Sequence, residues 1–521
     1  MLTEHILPHL WAYWPVLVAL ALCAHLSRNY FQKGLSKYPG PLLARFTNLW
    51  RFWITWNRRP DVHHLALHQK HGNVVRLGPN VLSFSSPAAM KTIYGLNKGM
   101  TKSGFYEVQQ ATSAGKRIRS LFSTLDEQYH AQLRRSVNHA FSMSALVQYE
   151  PSVNEILELF LDRTEELYAS TSGVCPLSQW FQAYAFDVIG KITYSEDHGF
   201  IRKNEDIEGM IGKLHKIFDY AGPIGQMPWL DLFLLKNPIL LLLDRWGFQW
   251  TAFPVAAFAK RRLSERLYKA DATAPSDRTD LLSMFLKAQS DRPQFFTDAS
   301  VLTMSISMSF AGSDTTAISL SAVMYYLMRN RRCYDAVVEE IDTAVREGRI
   351  EDRQPSRLVS WTESRQQLPY LDACIKEAFR CHPAAGLLLE RVTPPEGLEI
   401  DGHYIPGGTI VGVNAWVLHK RPEVFDPEAR FPVSQYIPER WLEASKEQLK
   451  TMDGNMFQFG AGSRTCIGKN ISLLEIYKTI PSLLRRFEVT FANPDPEDDW
   501  ELWNAWFVRQ KNFNVKFKTR Q

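Results

Sequence analysis

The chain has 521 residues, 60 Lys and Arg against 55 Asp and Glu, and a formal net charge of +5. With 45% hydrophobic and 22% charged residues its composition is that of a globular protein, which excludes disordered, collagen-like and fibrous classes. The positive excess is slight and no dense basic stripe is interleaved with aromatics, so nucleic acid is not an expected partner, whereas a membrane surface or an acidic protein is. Cys23, Cys175, Cys333, Cys374, Cys381 and Cys466 form no CxxC pair, which argues against a disulfide scaffold and a structural zinc site. Five of them read as small buried hydrophobes. Cys466 is set apart by its surroundings.

In chain order, residues 10–26 are nearly all apolar, at the short end of the roughly 17–25 residues that span a bilayer. Glu4 precedes this run and Arg28, Lys33 and Lys37 follow it, with Trp11, Tyr13 and Trp14 placed for the far interface. That charge order favours a signal anchor with a cytosolic body over a signal peptide cleaved near Ala19 and Ala21. Residues 1–36 are therefore expected to be anchor and basic flank, and residues 37–521 one catalytic domain, joined by the stiff Tyr38-Pro39-Gly40-Pro41.

Residues 61–71 predict a helix capped by Asp61 and stopped by Gly72. Residues 74–77 and 81–84, around Gly78-Pro79-Asn80, predict a β-hairpin. Helical periodicity follows at about 125–140, 147–168, 178–193 and 333–347, with an unresolved aromatic-rich stretch at 207–270. A very long helix is predicted over about 297–329 and another over 371–380, ahead of His382-Pro383. Short strands are expected at 398–400, 404–405 and 409–411, then a proline-rich segment at 422–441 and a last helix over 469–486. The fold class is mainly α with small β-sheets, too little strand for a doubly wound sheet.

Between these last two segments lies FQFGAGSRTCIGK, residues 457–469. A Walker loop fails on the spacing of Gly462, Gly468 and Lys469, and a dinucleotide fingerprint fails because Thr465 stands where its third glycine belongs. A thiolate ligand on a glycine-built turn does fit. The glycines allow unusual backbone and a close approach to a flat cofactor, and the following helix aims its amide groups at the sulfur. Phe459-x-x-Gly462-x-Arg464-x-Cys466-x-Gly468 resembles the haem-binding signature of the cytochrome P-450 family at every fixed position.

Three further segments are similar to that family in the right order. Ala311-Gly312-Ser313-Asp314-Thr315-Thr316, in the middle of the longest helix, resembles its oxygen-binding groove. That resemblance implies that Ala311 and Gly312 make room, and that Asp314 and Thr315 deliver protons; alone, the segment equally reads as a packing notch with back-bonded hydroxyls. Glu377-Ala-Phe-Arg380 with Arg440 of Pro438-Glu439-Arg440-Trp441 resembles its structural triad. His130-x-x-x-Arg134, with Arg391 and Arg464, resembles its haem-propionate ligands, His130 standing where Trp is more frequent.

The resemblance, over about residues 38–518, implies a cytochrome P-450 fold binding haem b, with Cys466 as axial iron ligand and Phe459, Gly462 and Gly468 in the cofactor loop. It implies a haem-thiolate monooxygenase that oxidises a hydrophobic small molecule, since thiolate donation to iron favours O–O cleavage. Electrons would come from NADPH through a separate flavoprotein reductase, with cytochrome b5 as a possible second donor. Anchor and hinge resemble microsomal members of the endoplasmic reticulum, and the wording at 36–41 is similar to fungal members of secondary metabolism. A reductase-independent isomerase, dehydratase or peroxygenase, or a haem sensor, is the alternative; intact Asp314-Thr315 argues for the monooxygenase. The expected pocket segments are 104–118, 215–250, Phe310-Ala311, 384–389 and 503–506, mostly apolar and without a charged anchor. Asn470-Ile471-Ser472 is a glycosylation sequon expected to be unused.

Overall fold

The computed structural model describes residues 2–113, 115–247, 254–270, 280–493 and 500–520. It is mainly helical, with five small sheets among the described residues. The first helix, Leu2–Phe31, runs unbroken, and its large apolar side chains from Tyr13 to Leu22 stand exposed. Among the described residues no helix is long and apolar enough to cross a membrane. The side chains of residues 10–12, which open the predicted span, lie outside the described set.

The connector is packed against the body. The Arg76 N–H donates to the Pro39 carbonyl at 2.7 Å, and a Cβ on Gly40 would lie 2.1 Å from the Arg76 carbonyl oxygen. The buried Arg76 guanidinium donates to the carbonyls of Asn29 and Tyr30, at 2.6 and 2.9 Å, and so satisfies acceptors left free at the end of the first helix.

The predicted hairpin is Val74–Gly78 against Val81–Phe84, antiparallel and buried throughout. Its second strand pairs in parallel with Ile410–Val413, which pairs with Arg391–Val392, which in turn pairs with Thr101–Lys102. The helix before the hairpin is Pro60–His71, not a helix opened by Asp61: Arg59 holds the cap position without a side-chain bond and Pro60 begins the first turn. Asp61 is buried instead and accepts from Asn504 Nδ2 at 3.0 Å. Proline needs no N–H partner at a first turn, so it sets the boundary that the acidic residue seemed to set.

Asp298–Arg329, capped by a reciprocal Thr297–Ser300 pair, runs through the core against Leu177–Tyr194, Pro369–Cys381 and Lys469–Arg486. The 207–270 stretch resolves into Met210–Gly225, Pro238–Arg245 and Pro254–Ala270, with residues 248–253 outside the described set. The sequence reading missed the C-terminal strands. Phe487–Phe491 pairs with Asn514–Thr519, and Glu501–Asn504 with Val508–Lys511. Each is too short for alternation to stand out, and the first pair closes over the intervening residues 492–513.

Candidate active site

Cys466 sits in a loop closed by its own backbone, its N–H donating to the Phe459 carbonyl at 2.9 Å. Gly468 caps the helix that follows, Lys469–Arg486. Cys466 is exposed at its surface yet enclosed by the fold, so two influences oppose each other. Enclosure raises its thiol pKa, while the Gly468 and Lys469 N–H groups and the charges of Arg134 and Lys469 pull it down; without a metal the first prevails. Gly462 has φ +67° and a Cβ there would lie 1.8 Å from the Tyr94 carbonyl oxygen. That protein contact by itself requires glycine there. Asn470 donates to the Phe141 carbonyl at 2.9 Å from within the helix, which engages the side chain of the sequon.

Basic groups gather around the loop. Arg134 Nη1 donates to the Thr465 carbonyl at 2.7 Å, and His130 is buried one turn away on the same helix, Glu127–Val137. Arg464 pairs with Glu127, Nη2 to Oε1 at 2.7 Å. Arg391 lies over the Tyr94 ring, 5.0 Å from its centroid. The chain adds a cation that sequence reasoning missed: Lys102, only 5% exposed, is the cross-strand partner of Arg391 and lies 4.0 Å from the centroids of both Tyr106 and Phe122. Burial, Arg391 and Arg464 push its ammonium well below the usual lysine range. Burial, Arg464, Arg134, Lys102 and Arg391 likewise hold His130 down to about 3. With Glu127 paired to Arg464 alone, these crowded basic groups suit an anionic group of more than one charge, which would favour their protonated forms. Nothing in a two-residue strand marked Lys102.

Behind the loop, Glu377 binds Arg380 at 2.7 and 2.9 Å and Arg440 Nε at 3.0 Å, all nearly fully buried. The Ile437 N–H and Trp441 Nε1 also donate to it, at 3.0 and 2.9 Å. Burial alone would raise the Glu377 carboxyl; the arginines and these bonds outweigh it and hold the pKa below the usual value. Arg380 further donates to the carbonyl of His419, whose Nε2 accepts from the Phe457 N–H at 2.8 Å. A hydrogen-bond path thus runs from Glu377 to the start of the Cys466 loop.

On the long helix, Ala311 is exposed and Thr315 half-buried although both lie mid-helix between largely buried turns. The Thr315 hydroxyl donates to the Ala311 carbonyl at 2.8 Å, and the helix is continuous there. Gly312 does not make room in this groove. A Cβ on it would lie 2.8 Å from Ile189, so it lets Leu177–Tyr194 approach. Asp314, 2% exposed, accepts from Gln182 Nε2 at 2.8 Å and lies 3.5 Å from His215 Nε2; its Oδ2 is buried without a hydrogen-bond partner. The pocket expectation at 503–506 is corrected as well. Trp506 is buried in a stack on Phe105, centroids 4.5 Å apart, and Asn504 holds Asp61 and the Gly386 carbonyl. Trp503 and Phe507 are half-buried; Phe507 stands edge-on to Phe218 at 5.0 Å, and Phe218 meets Phe310 at 5.3 Å. Gln182, His215 and Phe507 carry no motif, so spacing could not have found them.

The "Cytochrome P-450" family model matches residues 39–517. Monooxygenase cicH of Emericella nidulans is 40% identical over 97% of this chain and 98% of the relative. Monooxygenase AFLA_114810 of Aspergillus flavus is 34% identical over 97% and 96%. Monooxygenase mpaDE of Penicillium roqueforti is 34% identical over 97% of this chain and 58% of that longer protein. The chain belongs to the cytochrome P-450 family. It is a haem-thiolate monooxygenase, which places one atom of dioxygen into a hydrophobic small molecule. Haem fits the residues present: an accessible cysteine sulfur faced by two backbone amides, a surplus of buried cations for two propionates, and an exposed Ala311–Thr315 stripe within a buried helix.

Proposed function

We propose that the chain is a membrane-seated, reductase-dependent monooxygenase that tailors an apolar secondary metabolite at the endoplasmic reticulum. The carrying observation is Cys466, accessible within an enclosed loop and served by the Gly468 and Lys469 N–H groups. Cys466 would bind the haem iron through its sulfur, and His130, Arg134, Arg391, Arg464 and Lys102 would hold the propionates; Phe459, Gly462 and Gly468 shape the loop. When bound, haem supplies the oxygen-activating chemistry. Thr315 orients a water, because its hydrogen is committed to the Ala311 carbonyl and its lone pairs remain free to accept. Asp314 relays the proton.

Electrons come from NADPH through a flavoprotein reductase, with cytochrome b5 as a second donor. Lys469 and Arg135, exposed on the elements flanking the loop, support docking of an acidic partner there. The exposed apolar face of the first helix supports an anchor in the endoplasmic reticulum membrane, body in the cytosol. Exposed Trp53, Trp56, Trp229, Phe233, Ile239 and Trp246 support a second contact with lipid. The Phe218–Phe310–Phe507 wall supports a hydrophobic substrate, and kinship to enzymes of filamentous fungi supports a secondary-metabolite pathway.

The test is Cys466→Ala in the purified full-length protein. The reduced carbon-monoxide complex should lose the red-shifted band of thiolate ligation while the fold persists by circular dichroism. Retention of that band would overturn the ligand assignment. Turnover with peroxide alone at the rate seen with NADPH and reductase would favour the peroxygenase alternative.

A further inference from the structure

Three helices meet at Asp314. Gln182 reaches it from Leu177–Tyr194 and His215 from Met210–Gly225. The Gln182 amide nitrogen stands 2.8 Å from Asp314 Oδ1 and 3.1 Å from His215 Nε2, and His215 Nε2 stands 3.5 Å from that same Oδ1. The Asp314 side chain is 3% exposed and that of His215 is 31% exposed. A buried carboxylate with one orphaned oxygen is therefore joined to solvent through a single imidazole.

The amide of Gln182 carries two hydrogens, one for each neighbour. With neutral imidazole, Nε2 accepts from Gln182 and Asp314 keeps its other Gln182 bond. With a proton on Nε2, that acceptor is gone, and the N–H turns to the nearest anionic oxygen, Asp314 Oδ1. The cluster has two hydrogen-bond arrangements that differ by one proton. Other charged groups face elsewhere: Lys213 and Lys216 are exposed on His215's own helix, and Asp219 is engaged by Arg509 at 2.6 Å and by Trp503.

We propose that His215 is the proton-entry residue of this enzyme, loading Asp314 from bulk solvent, with Gln182 as the hinge that positions both. The inference rests on the reading of Asp314 as a proton relay. In each cycle the Nε2–H bond breaks and an O–H bond forms on Asp314; the carboxyl then passes its proton inward to water, and the imidazole regains one from solvent. Charge and protons balance without any added reagent. Rotation of the carboxyl exchanges its two oxygens, so the proton received at Oδ1 leaves from the inward position that the unpartnered Oδ2 holds at rest. His215 is a positioning and supply residue, since it touches no substrate.

The test uses full-length holoenzyme. Deuterium exchange at the His215 ring carbon, followed by peptide mass spectrometry, is compared in wild type and in Asp314→Asn. We expect the exchange rate to change in the variant; an identical rate overturns the proposal. In parallel, NADPH, oxygen and peroxide are followed with microsomal reductase and no added substrate, in light and heavy water. His215→Gln, which keeps the bond to Gln182, should shift oxygen reduction towards peroxide and raise the solvent isotope effect. His215→Lys, a proton carrier of different shape, should restore both. Unaltered stoichiometry and isotope effect in His215→Gln, or equal failure of Lys and Gln, overturn it. Wild-type protein that consumes no NADPH with reductase would instead remove the reductase-dependent reading, and the exchange measurement would still decide on His215.

Discussion

The region behind Cys466 and the region across from it on the long helix are built on opposite principles. Glu377 is fully buried, and each of its oxygens has charged and neutral donors. Arg380 and Arg440 spend their remaining hydrogens on carbonyls of His419, Val433, Gln435, Phe425, Phe431 and Pro432. Across the molecule, Asp314 Oδ2 has no partner, Thr315 holds one local bond, and Ala311 and Thr315 stay accessible inside the fold. A saturated network has one arrangement, which suits a scaffold that must fix a ligand loop. A network with spare lone pairs has several, which suits groups that must accept and release protons. Function sits where satisfaction is incomplete.

Glu377→Ala tests the saturated side and should have the largest effect. It leaves two buried guanidinium groups without their anion, which costs about 3–5 kcal/mol. Urea unfolding should show that loss, or no folded haem protein should accumulate. A variant of wild-type stability would place the triad outside the scaffold.

Thr315→Ala tests the other side and should leave the fold alone. Loss of a positioned relay group lowers product formation by about 10²–10⁴. Haem content and the carbon-monoxide spectrum should stay normal while peroxide per NADPH rises. Unchanged coupling would mean that the hydroxyl serves only its bond to Ala311.

Acid should separate the regions by another route. Burial, then neighbouring cations, hold His419, His64 and His198 to about 3, against 6.5 for a free imidazole. As pH falls below 6.5 the unfolded chain takes up these protons first, so their contribution to stability is complete above that value and declines towards pH 3. Each histidine adds a slope of up to about 1.4 kcal/mol per pH unit. His419→Gln keeps an acceptor for the Phe457 N–H and should flatten the urea-midpoint profile by one proton. An identical profile would show that His419 is not held neutral.

Gly312→Ala should have the smallest effect. The new methyl meets Ile189 at 2.8 Å. Overpacking of this kind costs about 1–3 kcal/mol, against which a helical Gly→Ala change returns up to about 1 kcal/mol. A lowered Tm, recovered in the Ile189→Ala background, would confirm the packing role. If the change lowers coupling without lowering Tm, Gly312 belongs to the groove after all.

The sequence by itself determined the class, the helical body and the thiol loop. A run such as 457–469 must present a sulfur, cap a helix and turn on left-handed glycines within a few residues, so its constraints are local and show as spacing. The last helix, Lys469–Arg486, and the hairpin at Val74–Phe84 were legible for the same reason: their signals lie within one turn or one strand. Tertiary structure decided the rest. Lys102 acquires its place from a strand partner nearly 290 residues away in the chain, and His215 and Gln182 meet Asp314 only because three helices cross. Asp61 and Gly312 were misassigned because a cap and a notch look alike in sequence whether the neighbour is solvent, a cofactor or Ile189. Contact order is the physical divide: local chemistry is written in spacing, and contacts between distant segments exist only once the core has packed.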